Sequence, residues 1–190
     1  INFDLPKRNK KKIIYIVLHY TGMKKEAQAI KRLCDSKSKV SSHYFVKNNG
    51  KVLNLIPDLY TAWHAGDSKW KKFKSLNDYS IGIEISNPGH DHGYKKFSSK
   101  QILSIIKLLR FLIRKYKIKK QNILGHSDIA PNRKKDPGEK FPWRRLAKKN
   151  LCKWYNLRED KIRKNRNLKL KMNDENSFFS NLYEIGYSIS

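Results

Sequence analysis

Between Gly125 and Gly138 the chain reads GHSDIAPNRKKDPG. His126 and Asp136 stand ten positions apart in it, with Arg133, Lys134 and Lys135 between them. Pro131, Pro137 and the two glycines break regular structure across the stretch. A neutral imidazole and a carboxylate are both good ligands for a divalent metal, and a nearby lysine suits an anion formed during a reaction. Such a loop can therefore hold a metal and a cation at one place.

A hydrolytic zinc typically takes three protein ligands and leaves a position open for water. The histidines available are 19, 43, 64, 90, 92 and 126. His19 closes the β-branched run IIYIVLHY, and His126 closes the short run NILGH. Strand ends that meet at one sheet edge are a natural place for a site, and Asp136 is close enough to fold back as the third ligand. A single strand-end histidine more commonly packs in a core. Two of them beside this loop argue for metal.

Glu84 interrupts the apolar run SIGIEIS. A carboxylate inside a buried strand is costly unless it is paired or used, whereas on an edge strand it would simply face water. The functional reading is a general base whose pKa is raised by partial burial. Lys134 lies two residues before Asp136, so a ligand at 136 would bring it beside the metal. Taken alone, a lysine in an RKK run is a solvated surface charge.

The elements that must position these residues are legible as alternating strands and helices. Residues 1 to 12 are polar and basic, an extended lead-in. Ile13 to His19 form a central strand buried on both faces. Lys24 to Ser36 form a helix with Ala27, Ile30 and Leu33 on one stripe. SHYFVKNNGKVLNLI is a hairpin about Asn49-Gly50, and PDLYTAWHAGDSKW an aromatic-rich loop. Ser80 to Ser86 form a strand with Ile81, Ile83 and Ile85 on one face and Gly82 and Glu84 on the other.

A capping box at 98 to 101 opens a helix running to about Lys117. Lys100, Ser104, Lys107, Arg110 and Arg114 form its only polar stripe. PWRRLAKKN is a last helix with Pro142 near its first turn. The expected fold is α/β, with a mixed central β-sheet flanked by helices on both faces and a basic C-terminal tail.

At 190 residues the chain holds one ordinary domain plus a tail. No stretch reaches the roughly 18 to 20 apolar residues that span a bilayer. The chain starts at Ile1, so a missing targeting segment carries no information. Two cysteines, Cys34 and Cys152, have no CxxC spacing and read as free thiols. The net charge of +27 admits nucleic acid, an anionic membrane surface or an acidic polymer as partner, and equally a solvated lysine-rich surface. No nucleic-acid-binding motif accompanies it.

Five ordered blocks carry a family resemblance: IVLHYTG, VSSHYFVKNNGKV, TAWHAG, NDYSIGIEISN and GHSDIAPNRKKDPG. Over roughly residues 10 to 155 the chain resembles the zinc-dependent N-acetylmuramoyl-L-alanine amidases of the type 2 family. That family includes bacterial peptidoglycan-recycling amidases, phage amidase lysozymes and peptidoglycan recognition proteins. The loop NPGHDHGYKKFSSKQ is most similar to that of the envelope-type recycling enzymes.

The resemblance implies Zn2+ as cofactor with His19, His126 and Asp136 as ligands. It implies Glu84 as catalytic acid/base and Lys134 as the cation that stabilises the transition state. Trp63, His64 and Asn77 fall in blocks associated with the substrate groove. The implied reaction is hydrolysis of the amide between N-acetylmuramic acid and L-alanine in peptidoglycan or muropeptides. The implied location is the periplasm or cell envelope, with the cytoplasm as alternative.

The expected organisation is an amidase domain at 1–155, a basic linker at 156–173 and a short helical tail at 174–190. That tail is similar to the opening helix of a small peptidoglycan-binding domain. We expect a monomer with no transmembrane segment and no specific nucleic acid partner. The rival readings are a non-catalytic peptidoglycan-binding module and a basic nucleic-acid-binding protein.

Overall fold

The computed structural model describes residues 1–155, 158–166 and 172–188. In chain order the strands are β1 (Phe3–Asp4), β2 (Tyr15–Tyr20), β3 (Tyr44–Val46), β4 (Val52–Asn54), β5 (Thr61–Ala62), β6 (Lys69–Trp70), β7 (Phe73–Lys74), β8 (Ser80–Ile85) and β9 (Ile123–Gly125). The α-helices are α1 (Glu26–Cys34), α2 (Ser99–Tyr116), α3 (His126–Ile129), α4 (Trp143–Lys148), α5 (Glu159–Arg166) and α6 (Met172–Ile185).

Five strands form the central sheet in the order β4-β3-β8-β2-β9. β2 runs parallel to both β8 and β9, β3 runs parallel to β8, and only β3 and β4 are antiparallel. The sheet is therefore mixed, as the alternating elements imply. Glu84 sits on β8, the middle strand, which removes the reading in which it faces water from an edge.

The period-2 alternation of side chains divides the sheet into two faces. Ile16, Leu18, Ile81, Ile83, Ile85 and Val46 point to one face and pack against Ile102, Ile105, Leu109 and Leu112 of α2. α4 adds Leu146 to the same layer. On the other face Tyr15 and Val17 pack with Leu124 and Ile129, while Phe45 meets Ala29 and Leu33 of α1. His19, Gly82 and Glu84 share this second face by the same alternation. Helices cover both faces.

Local sequence chemistry sets several boundaries. In α2 the Ser98 hydroxyl accepts from the Gln101 backbone, and the Gln101 side chain accepts from the Ser98 N–H, a complete capping box. The β3–β4 hairpin closes with Gly50 N–H donating to Lys47 O at 2.9 Å. Gly50 has φ +86°, and a Cβ there would lie 2.8 Å from the Lys100 carbonyl. Glycine is required on both counts.

Four expectations need correction. The lead-in is not free: β1 pairs with β5, and Arg8 is 8% exposed, its guanidinium donating to the carbonyls of Asp58 and Asn77. Ala27 is exposed on α1, because the helix turns Ala29 and Leu33 onto Phe45 instead. Leu103 and Phe111 stand about half exposed on α2, so its solvent face is wider than the polar stripe. The last strand ends at Gly125, and His126 opens the one-turn helix α3.

The 156–173 segment contains α5, and residues 156, 157 and 167–171 lie outside the described residues. α6 covers most of the 174–190 tail, of which residues 189 and 190 also lie outside. The end of α6 rests on the domain. Lys71 N–H donates to Gly186 O at 2.8 Å, and the Tyr187 hydroxyl donates to Asp128 at 2.6 Å. Both cysteines are free, Cys34 exposed and Cys152 buried. Among the described residues no helix is long and apolar enough to cross a membrane.

Candidate metal centre and active site

The topology brings the two histidines together from parallel neighbours. His19 is the fifth residue of β2, and His126 follows β9, the strand beside it. The loop after α3 folds back so that Ser127 N–H donates to Asp136 O at 2.8 Å, which returns Asp136 to His126.

Three ligand atoms form a tight triangle. His19 Nδ1 lies 2.9 Å from His126 Nδ1, and each lies 3.1 Å from Asp136 Oδ2. All three residues are buried, and they form the described His/Cys/Asp/Glu group able to hold a metal ion. Two ligands of a tetrahedral zinc stand about 3.3 Å apart at normal zinc–nitrogen distances. The triangle is close to that size.

The donor set fits as well. His126 Nε2 lies 3.1 Å from the Ala65 carbonyl, which can only accept, so Nε2 carries the proton and Nδ1 is a bare lone pair. That lone pair faces a carboxylate oxygen and a second imidazole nitrogen in a buried space. A shared cation relieves the repulsion. Burial pushes the His19 pKa down to about 4, helped by the neighbouring His126, so the ring is neutral and ready to ligate at neutral pH. Burial acts to raise the Asp136 carboxyl, yet beside the two imidazoles its pKa stays below the ordinary carboxylate range, so it is ionised.

Glu84 is the register partner of His19 on β8. Its Oε2 is buried with no hydrogen-bond partner among the described residues. Burial, and then the negative charge of Asp136, raise its pKa well above the ordinary carboxylate range, against the pull of Lys134. A buried carboxyl oxygen left without a partner is costly, and a proton or a reacting water would satisfy it.

These groups open into a cavity of about 400 Å³ lined by Trp63, His64, Glu84, His126, Lys134 and Asp136 among others. Tyr20, Met23 and Leu33 add apolar wall. A second hollow of about 560 Å³ shares Trp63, His64, His126 and Lys134 with the first and extends toward Asn77 and Lys39. Together they make a groove across the centre with cationic Arg32, Lys39, Arg133, Lys134 and Lys135 along it. Lys134 is half-buried there.

Trp63, His64 and Asn77 sit in this groove in unequal ways. The Trp63 indole donates to Asp4 at 2.8 Å and lines both hollows. His64 is 7% exposed, with Nδ1 3.0 Å from His19 Nε2 and Nε2 3.3 Å from Ser80 Oγ. The Asn77 side-chain oxygen accepts the backbone N–H groups of His64 and Ala65.

His43 lines neither hollow. It is fully buried, its Nδ1 accepting the Gly82 N–H at 3.0 Å, and burial with the adjacent Arg8 lowers its pKa to about 3.

The sequence reading missed Arg133 and Ser80. Arg133 donates to the Ala65 carbonyl at 2.5 Å and to Asp67 O, tying its loop to the 65–67 segment. Its place in the RKK run beside Lys134 was the available signal. Ser80, at the start of the Glu84 strand, gave none.

Comparison with known proteins shows the family of this chain. Residues 9–139 match the family described as N-acetylmuramoyl-L-alanine amidase. The chain is 39% identical over 155 residues to N-acetylmuramoyl-L-alanine amidase AmiD of Escherichia coli, covering 75% of this chain and 55% of that protein. It is 36% identical over 108 residues to 1,6-anhydro-N-acetylmuramyl-L-alanine amidase AmpD of Haemophilus influenzae, covering 56% of each. The chain thus spans little more than half the length of these curated relatives.

Among solved structures, E. coli AmiD with anhydro-N-acetylmuramic acid-L-Ala-D-gamma-Glu-L-Lys aligns with TM-score 0.82 and 34% identity, over 94% of this chain and 73% of that one. AmpDH3 of Pseudomonas aeruginosa with an anhydromuramic pentapeptide aligns with TM-score 0.81 and 28% identity, over 100% and 79%. With a mixed sheet that sets His19 and Glu84 side by side, and a family match over most of its length, this chain belongs to the N-acetylmuramoyl-L-alanine amidase family.

Proposed function

We propose that this chain is a zinc amidase that hydrolyses the amide between the lactyl group of N-acetylmuramic acid and L-alanine of the stem peptide. The observation that carries the reading is the buried triangle of His19, His126 and Asp136 beside an unpartnered Glu84 oxygen. The muropeptides bound in the AmiD and AmpDH3 structures support the substrate class.

His19, His126 and Asp136 would hold the zinc. When bound, it supplies a Lewis acid that acidifies water and polarises the scissile carbonyl. Glu84 takes the proton of the attacking water at its carboxylate and hands it to the nitrogen of the leaving L-alanine. That nitrogen must be protonated to leave, so one carboxyl serves as base and then acid. The Lys134 ammonium stabilises the oxyanion that forms on the lactyl carbonyl oxygen. Trp63, at the rim of both hollows, offers an indole face to the sugar or peptide.

The cationic groove matches the carboxylates of a stem peptide, and the charge of +27 suits an anionic cell envelope as the place of work. The role is turnover or recycling of wall fragments by a monomer. The test is incubation with an anhydro-muropeptide, with and without a chelator. Free stem peptide bearing a new L-alanine amine, lost on chelation and restored by zinc, is the expected result. Intact substrate from a zinc-loaded chain would favour a non-catalytic binding module.

A further inference from the structure

The segment His64–Ala65 touches both histidines of the centre from behind. His64 Nδ1 meets His19 Nε2 at 3.0 Å, and Ala65 O meets His126 Nε2 at 3.1 Å. Proton positions along the first contact follow from a fixed end. Ser80 Oγ lies 2.5 Å from the Leu76 carbonyl, which can only accept, so the hydroxyl proton is spent there. Toward His64 Nε2, 3.3 Å away, the same oxygen can then only accept, so Nε2 carries a proton.

His64 is a buried ring with no carboxylate among its hydrogen-bond partners, so it is neutral and its Nδ1 is a lone pair. His19 must therefore donate from Nε2. Its Nδ1, the atom 2.9 Å from His126 Nδ1 and 3.1 Å from Asp136 Oδ2, is left bare. The order runs without a break from the Leu76 carbonyl through Ser80 and His64 to His19.

The segment itself is pinned. Asn77 Oδ1 accepts both N–H groups, of His64 at 3.0 Å and of Ala65 at 2.7 Å. Arg133 holds the Ala65 carbonyl from the other side at 2.5 Å. Beneath the imidazole lies Gly82, where a Cβ would come within 2.4 Å of the His64 ring. The ring fits only because β8 has no side chain there.

We infer that His64 and Asn77 are positioning residues that set the tautomers of both metal-ligand histidines, rather than contacts for the substrate. The two-residue segment keeps both Nδ1 lone pairs turned to the metal before it arrives. A histidine with its proton on Nδ1 would have to exchange tautomer first, and partners of this kind typically alter metal affinity by about 10- to 100-fold. The inference rests on the zinc reading above, and its test separates the two.

The experiment uses the full chain labelled with ¹⁵N. Two-bond proton–nitrogen correlations of the imidazoles in the metal-free protein report which nitrogen is protonated, and chelator competition reports zinc affinity. The expected result is Nε2–H on His19, His64 and His126 in the unsubstituted chain. His64→Leu should weaken zinc binding by about 10- to 100-fold. His64→Gln, whose amide can accept from His19 and donate to Ser80, should restore most of it.

Ser80→Ala keeps the His64 ring and removes the acceptor for its Nε2–H, along with the hydroxyl's own bond to the Leu76 carbonyl, so it should bring a measurable Nδ1–H population to His19. Unchanged zinc affinity in His64→Leu, or Nδ1–H on His19 in the unsubstituted chain, would overturn the relay and leave the amidase reading standing. Failure of the unsubstituted chain to take up zinc at all would overturn both.

Discussion

His19 and Glu84 are register partners on adjacent parallel strands, so the proposed metal ligand and the proposed catalytic carboxyl project side by side from one face of the sheet. A one-residue slip between β2 and β8 would send one of them into the opposite face, among Leu18, Ile83 and α2. The apolar alternation that fixes the sheet thus also fixes how His19 and Glu84 stand to one another. On this arrangement the assigned roles make separate, measurable claims.

Glu84→Gln removes the proton carrier and keeps the shape of the side chain. Turnover of a muropeptide should fall by about 10²- to 10⁴-fold, with zinc content unchanged by elemental analysis. A variant with normal zinc and near-normal turnover would take the proton transfer away from Glu84.

Lys134→Ala should lower kcat by about 10²- to 10³-fold, the usual cost of losing one donor to a developing oxyanion, with a smaller change in KM. If KM rises and kcat holds, Lys134 binds the substrate and does not stabilise the transition state.

Gly82→Ala should destabilise the protein. The added methyl would lie 2.4 Å from a buried imidazole, and overpacking of this kind costs about 1–3 kcal/mol. Urea unfolding read by far-UV circular dichroism measures it. An unchanged midpoint would mean that the His64 ring can move aside.

Acid should unfold the metal-free protein. Burial lowers the pKa of His19 to about 4 and that of His43 to about 3, both from 6.5, and places His64 well below that value. Below pH 6.5 the unfolded chain binds protons that the folded one excludes, so stability falls as pH drops from 6.5 toward 4. Glu84 works in the opposite sense, its raised pKa giving stability at low pH that is lost as pH rises. Three histidines outnumber it. A melting temperature that is flat between pH 7 and 4.5 would contradict this balance.

Much of the frame is legible in the sequence because its signals are local. The β-branched runs ending at His19 and Ile85, the Asn49-Gly50 turn and the Ser98–Gln101 capping box each act within a few residues. His19, Glu84, His126 and Asp136 stand out in the sequence as groups able to do chemistry, and the fold brings the two histidines and Asp136 together with Glu84 beside His19. What the sequence hides is long-range. Arg8 is buried by carbonyls of Asp58 and Asn77, fifty and more positions away. Ala27 and Ala29 are equally apolar, and only the position of Phe45 decides that Ala29 faces inward.

The contacts behind His19 are hidden for the same reason. His64 falls in a block that the resemblance ties to the substrate groove, and it lines both hollows, but its side-chain hydrogen bonds run to His19 and Ser80, 45 and 16 positions distant. A histidine under a glycine on a neighbouring strand leaves no periodic trace. It becomes visible only when β8 and the 63–66 loop are stacked.

In the proposed reaction water attacks the lactyl carbonyl and cleaves the muramoyl–L-alanine amide. The most direct measurement is mass spectrometry of an anhydro-muropeptide digested by the zinc-loaded chain in H₂¹⁸O. One ¹⁸O should appear in the new lactyl carboxylate of the muramic product and none in the released stem peptide. Label in the peptide, or a different pair of fragments, would mean that another bond is cut and would contradict the assignment.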